Sequence, residues 1–243
     1  MRKLAREIVA VKPDTIIIAS PHNLRLLGQI AIVVTEHSSG TLRTSSRKAV
    51  GLSVDCDREF ASELLRRASA RGLPVVGANF GTSEGKSSDM PMDWGTLVPL
   101  WFVLSERRLR ARVVIVSPSR EIPLRQNYEF GSMIAGLARR KTEKIVFIAS
   151  ADQAHAHEKS GPYGFSRAAA RYDRLVCDAI TENRLASILD FDRNLVEDAK
   201  PDSLWQMSIL AGIQRKMRMV PRLFSYQVPT YYGMICAGFQ PVR

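Results

Sequence analysis

The chain has 243 residues, 45% hydrophobic and 24% charged, which suits one large α/β-sized domain or two small ones with a substantial buried core. No apolar run approaches the ~20 residues a bilayer-spanning helix needs, and no long apolar signal core follows the amphipathic Met-Arg-Lys-Leu-Ala-Arg-Glu start, so a cytoplasmic protein with no membrane contact is expected. The net charge of +11 comes from basic groups near expected helix ends and turns (Arg66–Arg71, Arg107–Arg112, Arg139–Lys141, Arg215–Arg218), without interleaved aromatics, which favours a solvated basic face over a nucleic-acid site.

Residues 2–11 place Leu4, Ile8 and Val11 on one helical face, and Pro13-Asp14 stops that helix. Thr15–Ser20 and Ile30–Thr35 are short apolar runs suited to buried strands, and the short link between them predicts an antiparallel pair. That pairing puts His37 at the opposite end of the sheet from His22, and so outside any site built there. A strand is expected at Val50–Val54, a helix over 58–71 capped by Asp57 and ended by Gly72, and a strand at Pro74–Asn79. Gly81–Ser88 superficially resembles a phosphate loop. It leaves three residues rather than four between its glycines, and Asp89-Met-Pro91 stands where a helix should begin, so it reads as a flexible loop.

Asp93 opens a largely apolar helix through Leu104, Val113–Ser117 is a strand, and Pro123–Arg140 is a helix. Lys144–Ser150 is another buried strand, followed by helices over Ser166–Ile180, near Arg184–Leu189 and over Ser203–Gln214. Leu223–Val228 and Tyr232–Phe239 read as two strands around Pro229-Thr-Tyr231. With no repeat and no convincing boundary, the expectation is one α/β domain over 1–243, with a central mixed sheet flanked by helices. Cys56, Cys177 and Cys236 are odd in number and form no C-x-x-C pair, which argues against a disulfide framework or structural zinc.

Two strands end in polar clusters, Ser20-Pro-His22 and Ser150-Ala-Asp152-Gln-Ala-His155, with His157 two residues further on. If they run parallel, both clusters emerge on one sheet edge, where open α/β sheets place their chemistry. Asp202 sits at the mouth of a helix. Two imidazoles and one carboxylate on a face could hold a divalent metal with open positions, as in non-haem Fe(II) oxygenases. A polar loop with surface histidines is the rival reading.

The ordered set Ile17-Ile-Ala-Ser-Pro-His22, Asp93-Trp-Gly-Thr-Leu-Val-Pro-Leu100, Ser150-Ala-Asp-Gln-Ala-His155, Gly161-Pro-Tyr-Gly-Phe165 with Tyr172-Asp173, and Lys200-Pro-Asp202 resembles the class III extradiol ring-cleavage dioxygenases. Within that class the likeness is to the LigB-type catalytic subunits, to which the non-enzymatic Memo proteins are related. The resemblance implies a LigB-like fold, Fe(II) held by two histidines and a carboxylate, a catechol-type substrate chelating through its hydroxyls, and O2 as co-substrate; whether the protein is a homo-oligomer is left open by the sequence. It makes His22 the second histidine ligand and Asp202 the carboxylate, shorter by one methylene than the family's usual Glu. His155 becomes the acid–base histidine, Asp152 an orienting group for its loop or a ring N–H, and His157 an extra lining the substrate pocket.

Two departures accompany the likeness. The family's first histidine closes an N-terminal strand, whereas this sequence opens in the helix expected after it, and no histidine precedes His22. Either the start is assigned late or a ligand has been lost. Trp94 stands where many members carry histidine, removing a substrate or supporting contact. Beside the dioxygenase reading stand a non-catalytic LigB/Memo-like binding protein and a polyanion-binding basic face.

Overall fold

A computed structural model describes residues 1–43, 49–105 and 109–242. Arg107 and Arg108, part of one basic cluster, lie outside that range. The elements are α1 (Arg2–Val11), β1 (Thr15–Ala19), β2 (Ile30–Val33), β3 (His37–Arg43), β4 (Ala49–Asp55), α2 (Arg58–Ala70), β5 (Val75–Ala78), β6 (Asp89–Pro91), α3 (Trp94–Leu104) and β7 (Arg112–Ser117). They continue with α4 (Leu124–Ala138), β8 (Ile145–Ala149), α5 (Arg167–Thr181), a 3-10 turn (Leu185–Asp190), α6 (Arg193–Ala199), α7 (Leu204–Gln214), β9 (Met219–Gln227) and β10 (Met234–Pro241).

Five strands form the central mixed sheet in the order β5-β2-β7-β1-β8. β1 runs parallel to both neighbours, Ile17 lying between Val114 and Phe147, and all five of its residues are buried. A continuous apolar run is what a strand covered on both faces requires. Alternate residues of β1 feed two cores. Ile17 and Ala19 pack with α2, α4 and α7, while Ile16 and Ile18 pack with Ala5 of α1 and Leu100 and Val103 of α3.

The expected β1–β2 hairpin does not form. β7 lies between them, parallel to β1 and antiparallel to β2, so the two strands run oppositely without touching. The short link therefore crosses one strand width, and β1, buried on both faces, lies between two parallel partners. His37 accordingly stays away from His22. It begins β3 in a separate three-stranded sheet, β4-β3-β6, with Nδ1 3.1 Å from Asp55 Oδ1. The loop at 81–88 is closed by a bridge between Gly81 and Ser88 rather than lying open over the sheet.

Helix ends follow the sequence signals: Asp57, Asp93, Ser166 and Asp192 each accept a first-turn backbone N–H. α4 and α7 cross with their backbones in contact. A Cβ on Gly131 would lie 1.9 Å from the Ile209 carbonyl oxygen, and one on Gly212 would lie 1.9 Å from that of Tyr128. This close crossing fixes the start of α7, and therefore Asp202, against the sheet. β9 and β10 pair antiparallel as a ribbon. Among the described residues, no helix is long and apolar enough to cross a membrane. Several basic groups are neutralised locally, as in Arg66 and Arg67 with Glu63 and Arg215 with Glu129.

Candidate functional site

β1 and β8 are parallel neighbours, with Ala19 beside Ala149 and the Ser150 N–H bonded to the Ala19 carbonyl at 2.9 Å. The two polar clusters therefore leave the sheet together at its carboxyl edge, as expected for strands that share a direction. The third contributor arrives from α6. That helix ends at Lys200 in a left-handed conformation (φ 55°), and the chain turns through Pro201 and Asp202 into α7. The Asp202 N–H bonds to the Asp152 carbonyl at 3.2 Å, and Gln206 Nε2 ties Ser150 and Asp202 together by donating to both carbonyls.

This stitching brings the Asp202 backbone close enough for its short side chain to reach the cluster. Asp202 Oδ2 lies 3.4 Å from His22 Nε2. Asp202 is buried, and its Oδ1 makes no hydrogen bond, although the Arg120 guanidinium forms an ion pair with it. Arg120 follows β7 and stacks its guanidinium 4.9 Å from the centre of the Trp205 ring. The sequence reading missed Arg120. Its signal was a third strand, β7, ending in the polar run Ser117-Pro-Ser-Arg120 on the same edge.

His22 is framed from α3. Ser20 Oγ donates to Asp93 Oδ2 at 2.6 Å, and the Trp94 ring lies 4.5 Å from the imidazole. Trp94 thus keeps a contact at the site, as a ring face rather than the imidazole expected there. Gly95 permits the approach, since a Cβ would fall 2.6 Å from Ser20 Oγ. Burial pushes the His22 pKa below its ordinary value; Asp93 and Asp152 oppose that shift, and Arg120 adds to it.

His155 is buried at the other wall. Its backbone N–H bonds to the Ala199 carbonyl at 2.9 Å, and its Nδ1 lies 3.0 Å from the Lys200 carbonyl oxygen. A carbonyl only accepts, so Nδ1 carries the proton and Nε2 is left as an acceptor. Burial lowers the His155 pKa, with Asp152 as the main opposing influence, so the ring is neutral at pH 7. Tyr163, Tyr231 and Tyr232 surround it at ring-centre distances of 5.4, 5.8 and 5.7 Å. Of these, Tyr163 lies within the recognised Gly-Pro-Tyr-Gly stretch, whereas the other two come from the β9–β10 turn, far away in sequence.

Asp152 lies beside both histidines, and burial raises its pKa against their influence. It orients its loop through its backbone carbonyl, while the ring N–H of His155 is held by Lys200 instead. His157 is turned away from this site. Its Nε2 lies 2.8 Å from Asp173 Oδ2, and it is absent from the cavity wall. Asp173 is fully buried and also accepts from the Tyr226 hydroxyl at 2.7 Å and the Ala154 N–H at 2.9 Å. His157 is drawn to that carboxylate because a buried charge needs its acceptor sites filled.

His22, Asp152, His155 and Asp202, with Trp94 and the three tyrosines, line one end of a cavity of about 790 Å3. The arrangement offers two neutral imidazoles, one buried and one half-buried carboxylate, and flat aromatic walls, a setting for binding a planar ring and moving a proton from it. The sequence matches the family described as the catalytic LigB subunit of aromatic ring-opening dioxygenase over residues 1–237. The chain belongs to this family. It is 23% identical over 225 residues to Protein CA_C1420 of Clostridium acetobutylicum, covering 92% of this chain and 47% of that protein. The chain thus spans about half the length of that curated relative. Its fold is similar to the crystal structure of uncharacterized protein JW3007 from Escherichia coli K12, with a TM-score of 0.63, 14% identity, and coverage of 98% of this chain and 91% of that one.

Proposed function

We propose that the cavity binds a catechol-type aromatic ring and supports its extradiol opening with O2 in an Fe(II)-dependent reaction. The observation that carries this reading is the convergence of His22, Asp202 and His155 on one aromatic-walled cavity, in a chain of a ring-opening dioxygenase family.

His22 and Asp202 would hold the metal. An imidazole and a carboxylate are donors that iron accepts, and the buried Asp202 carboxylate already faces a cation, the Arg120 guanidinium. They supply two of the three protein donors of a facial triad, and no cluster of three or more ligating side chains occurs among the described residues. When bound, the iron would supply the Lewis acidity and electron transfer that join O2 to the ring.

The chain's own residues account for the remaining steps. Trp94 and the tyrosines offer flat faces against which the ring stacks. The unprotonated Nε2 of His155 takes a proton from a ring hydroxyl, which leaves a phenolate. Its Nδ1–H, fixed on the Lys200 carbonyl, keeps that tautomer in place. Asp152 steadies the imidazolium that forms, and the proton can later be returned to a leaving oxygen. Arg120 must give up part of its pairing with Asp202 when a metal binds there, and it is then free to meet an anionic substituent on the ring.

A test is anaerobic titration of the chain with Fe(II) and then catechol, followed by tryptophan fluorescence and the catecholate absorbance band. Binding that depends on both His22 and Asp202, with deprotonation lost in His155→Gln, supports the reading; metal-independent, protonated catechol binding would overturn it. The two-donor arrangement also favours a second reading, a binding protein that keeps the pocket without the reaction. In that case metal uptake is absent and aromatic binding survives Asp202→Ala.

A further inference from the structure

Large apolar side chains stand exposed around the mouth of the cavity. Leu26 and Leu27, on the loop joining β1 to β2, are 39% and 76% exposed. That loop is held at the carboxyl edge of the sheet by the Leu24 N–H on Ser117 Oγ, the Asn23 amide on the Pro91 carbonyl, and Arg25 with Glu121. Trp94, which opens α3 beside His22, is 57% exposed. Tyr163 and Phe165, on the loop that follows β8, are each 55% exposed. Two loops and a helix start thus bring these apolar groups to one edge. Single exposed apolar residues are ordinary, and Phe80, alone after β5 at the opposite edge, is such a case. A cluster set among polar groups marks a contact surface.

The cavity does not account for this cluster. Trp94 and Tyr163 line it, but Leu26, Leu27 and Phe165 do not. Cations accompany the apolar groups. Lys159 lies on the Tyr163 loop, Arg167 starts α5 just after it, and Lys200 turns out of α6 with its carbonyl on His155. All three are exposed and in no ion pair among the described residues. The exposed acids of these loops, Glu121 and Glu158, are held by Arg25 and by the Ser160 hydroxyl. The whole chain carries a net charge of +11.

Each feature selects the partner. Apolar tips that project from separate loops fit a surface that yields around them, as acyl chains do, better than a rigid protein groove. Trp and Tyr, each an apolar ring with one polar group, suit the level where acyl chains meet headgroups. Unpaired cations beside them suit lipid phosphates. A second copy docked through this edge would set Lys159, Arg167 and Lys200 near their own counterparts, like charge on like. We propose that the carboxyl-edge loops form a peripheral membrane-binding surface. It seats on an anionic bilayer through Leu26, Leu27, Phe165 and the two rim aromatics, and turns the cavity mouth toward the lipid. Such contact needs no spanning helix, which is why a search of the sequence for spanning runs misses it. The inference rests on exposed loop residues and does not depend on the proposed reaction.

Sedimentation of the full chain with phosphatidylcholine vesicles, with and without phosphatidylglycerol, tests it. The wild-type chain is expected to sediment with the phosphatidylglycerol vesicles and much less with phosphatidylcholine alone. Leu27→Ser combined with Phe165→Ser should lower the partition coefficient roughly tenfold or more, because two apolar tips no longer leave water. Lys159→Gln combined with Arg167→Gln should lower it by roughly tenfold as well. Phe80→Ser, as exposed as Phe165 but at the opposite edge, should leave it unchanged. All these side chains are exposed, so the melting temperature should hold and a folding defect can be told from a lost contact. The proposal fails if the chain does not bind phosphatidylglycerol vesicles, or if the Leu27/Phe165 variant binds as wild type, which adsorption by charge alone would give. It also fails if the Lys159/Arg167 variant binds as wild type, or if Phe80→Ser weakens binding as much as the double serine change.

Discussion

His155 has its tautomer set by a backbone carbonyl and its basicity set by burial. Because burial lowers its pKa below 6.5, the ring is neutral at pH 7 and gains a proton only under more acidic conditions. The acid limb of kcat/KM for ring opening is therefore expected below pH 6.5 rather than at it, and His155→Gln should remove the limb and lower kcat by about 10²–10⁴-fold. The linkage sign is also defined. The unfolded chain takes up the proton first as pH falls, so the folded state loses stability below pH 6.5, and His155→Gln should lose less than wild type on going from pH 7 to pH 5. Asp173 has a structural role. Removing its carboxylate leaves His157, Tyr226 and the Ala154 N–H without their acceptor. Asp173→Ala should cost about 3 kcal/mol or more, read as a lower urea midpoint at unchanged slope. Two of the site residues, His22 and His155, were legible from sequence because each follows an apolar run and both runs end on one edge. Arg120, Tyr231 and Tyr232 were not, since their places depend on β7 inserting beside β1 and on the β9–β10 ribbon folding back.

Among the elements, the α4–α7 crossing determines where Asp202 stands. With Gly131 and Gly212 each set against a backbone carbonyl, a methyl group at either position must push the helices apart. Gly212→Ala is expected to destabilise by about 1–3 kcal/mol and to weaken any metal bound through Asp202, whereas Gly136→Ala, on α4 with open space around it, should do neither. Thermal unfolding and metal titration on the two variants separate these outcomes. Strand and helix identities were largely readable from apolar runs and capping residues. Strand order was not, because a short link suggests pairing but cannot exclude a third strand entering between its neighbours. β3, β6 and α6 were missed for a related reason: His37–Arg43 is polar, Asp89–Pro91 is three residues long, and α6 follows its 3-10 turn with almost no break.

At the scale of the whole molecule, one cavity joins the polar cluster at the carboxyl edge of the sheet to the apolar slot along β8. The mixed sheet brings strand ends together from three separated parts of the sequence, and the α6–α7 turn adds Asp202 to them. A ligand that binds only the folded chain must then stabilise it, by about 2.7 kcal/mol at a hundredfold excess over Kd. Catechol with Fe(II) should raise the melting temperature of the wild-type chain and leave Asp202→Ala unchanged. The most direct test of the account is a single turnover: the chain loaded with Fe(II) and catechol without oxygen, then mixed with O2, with the visible absorbance of a ring-fission product followed in wild type and in His155→Gln. The account predicts a product band in wild type that forms far more slowly in His155→Gln, and equal rates in the two, or no product from a chain that has bound both iron and catechol, would contradict it.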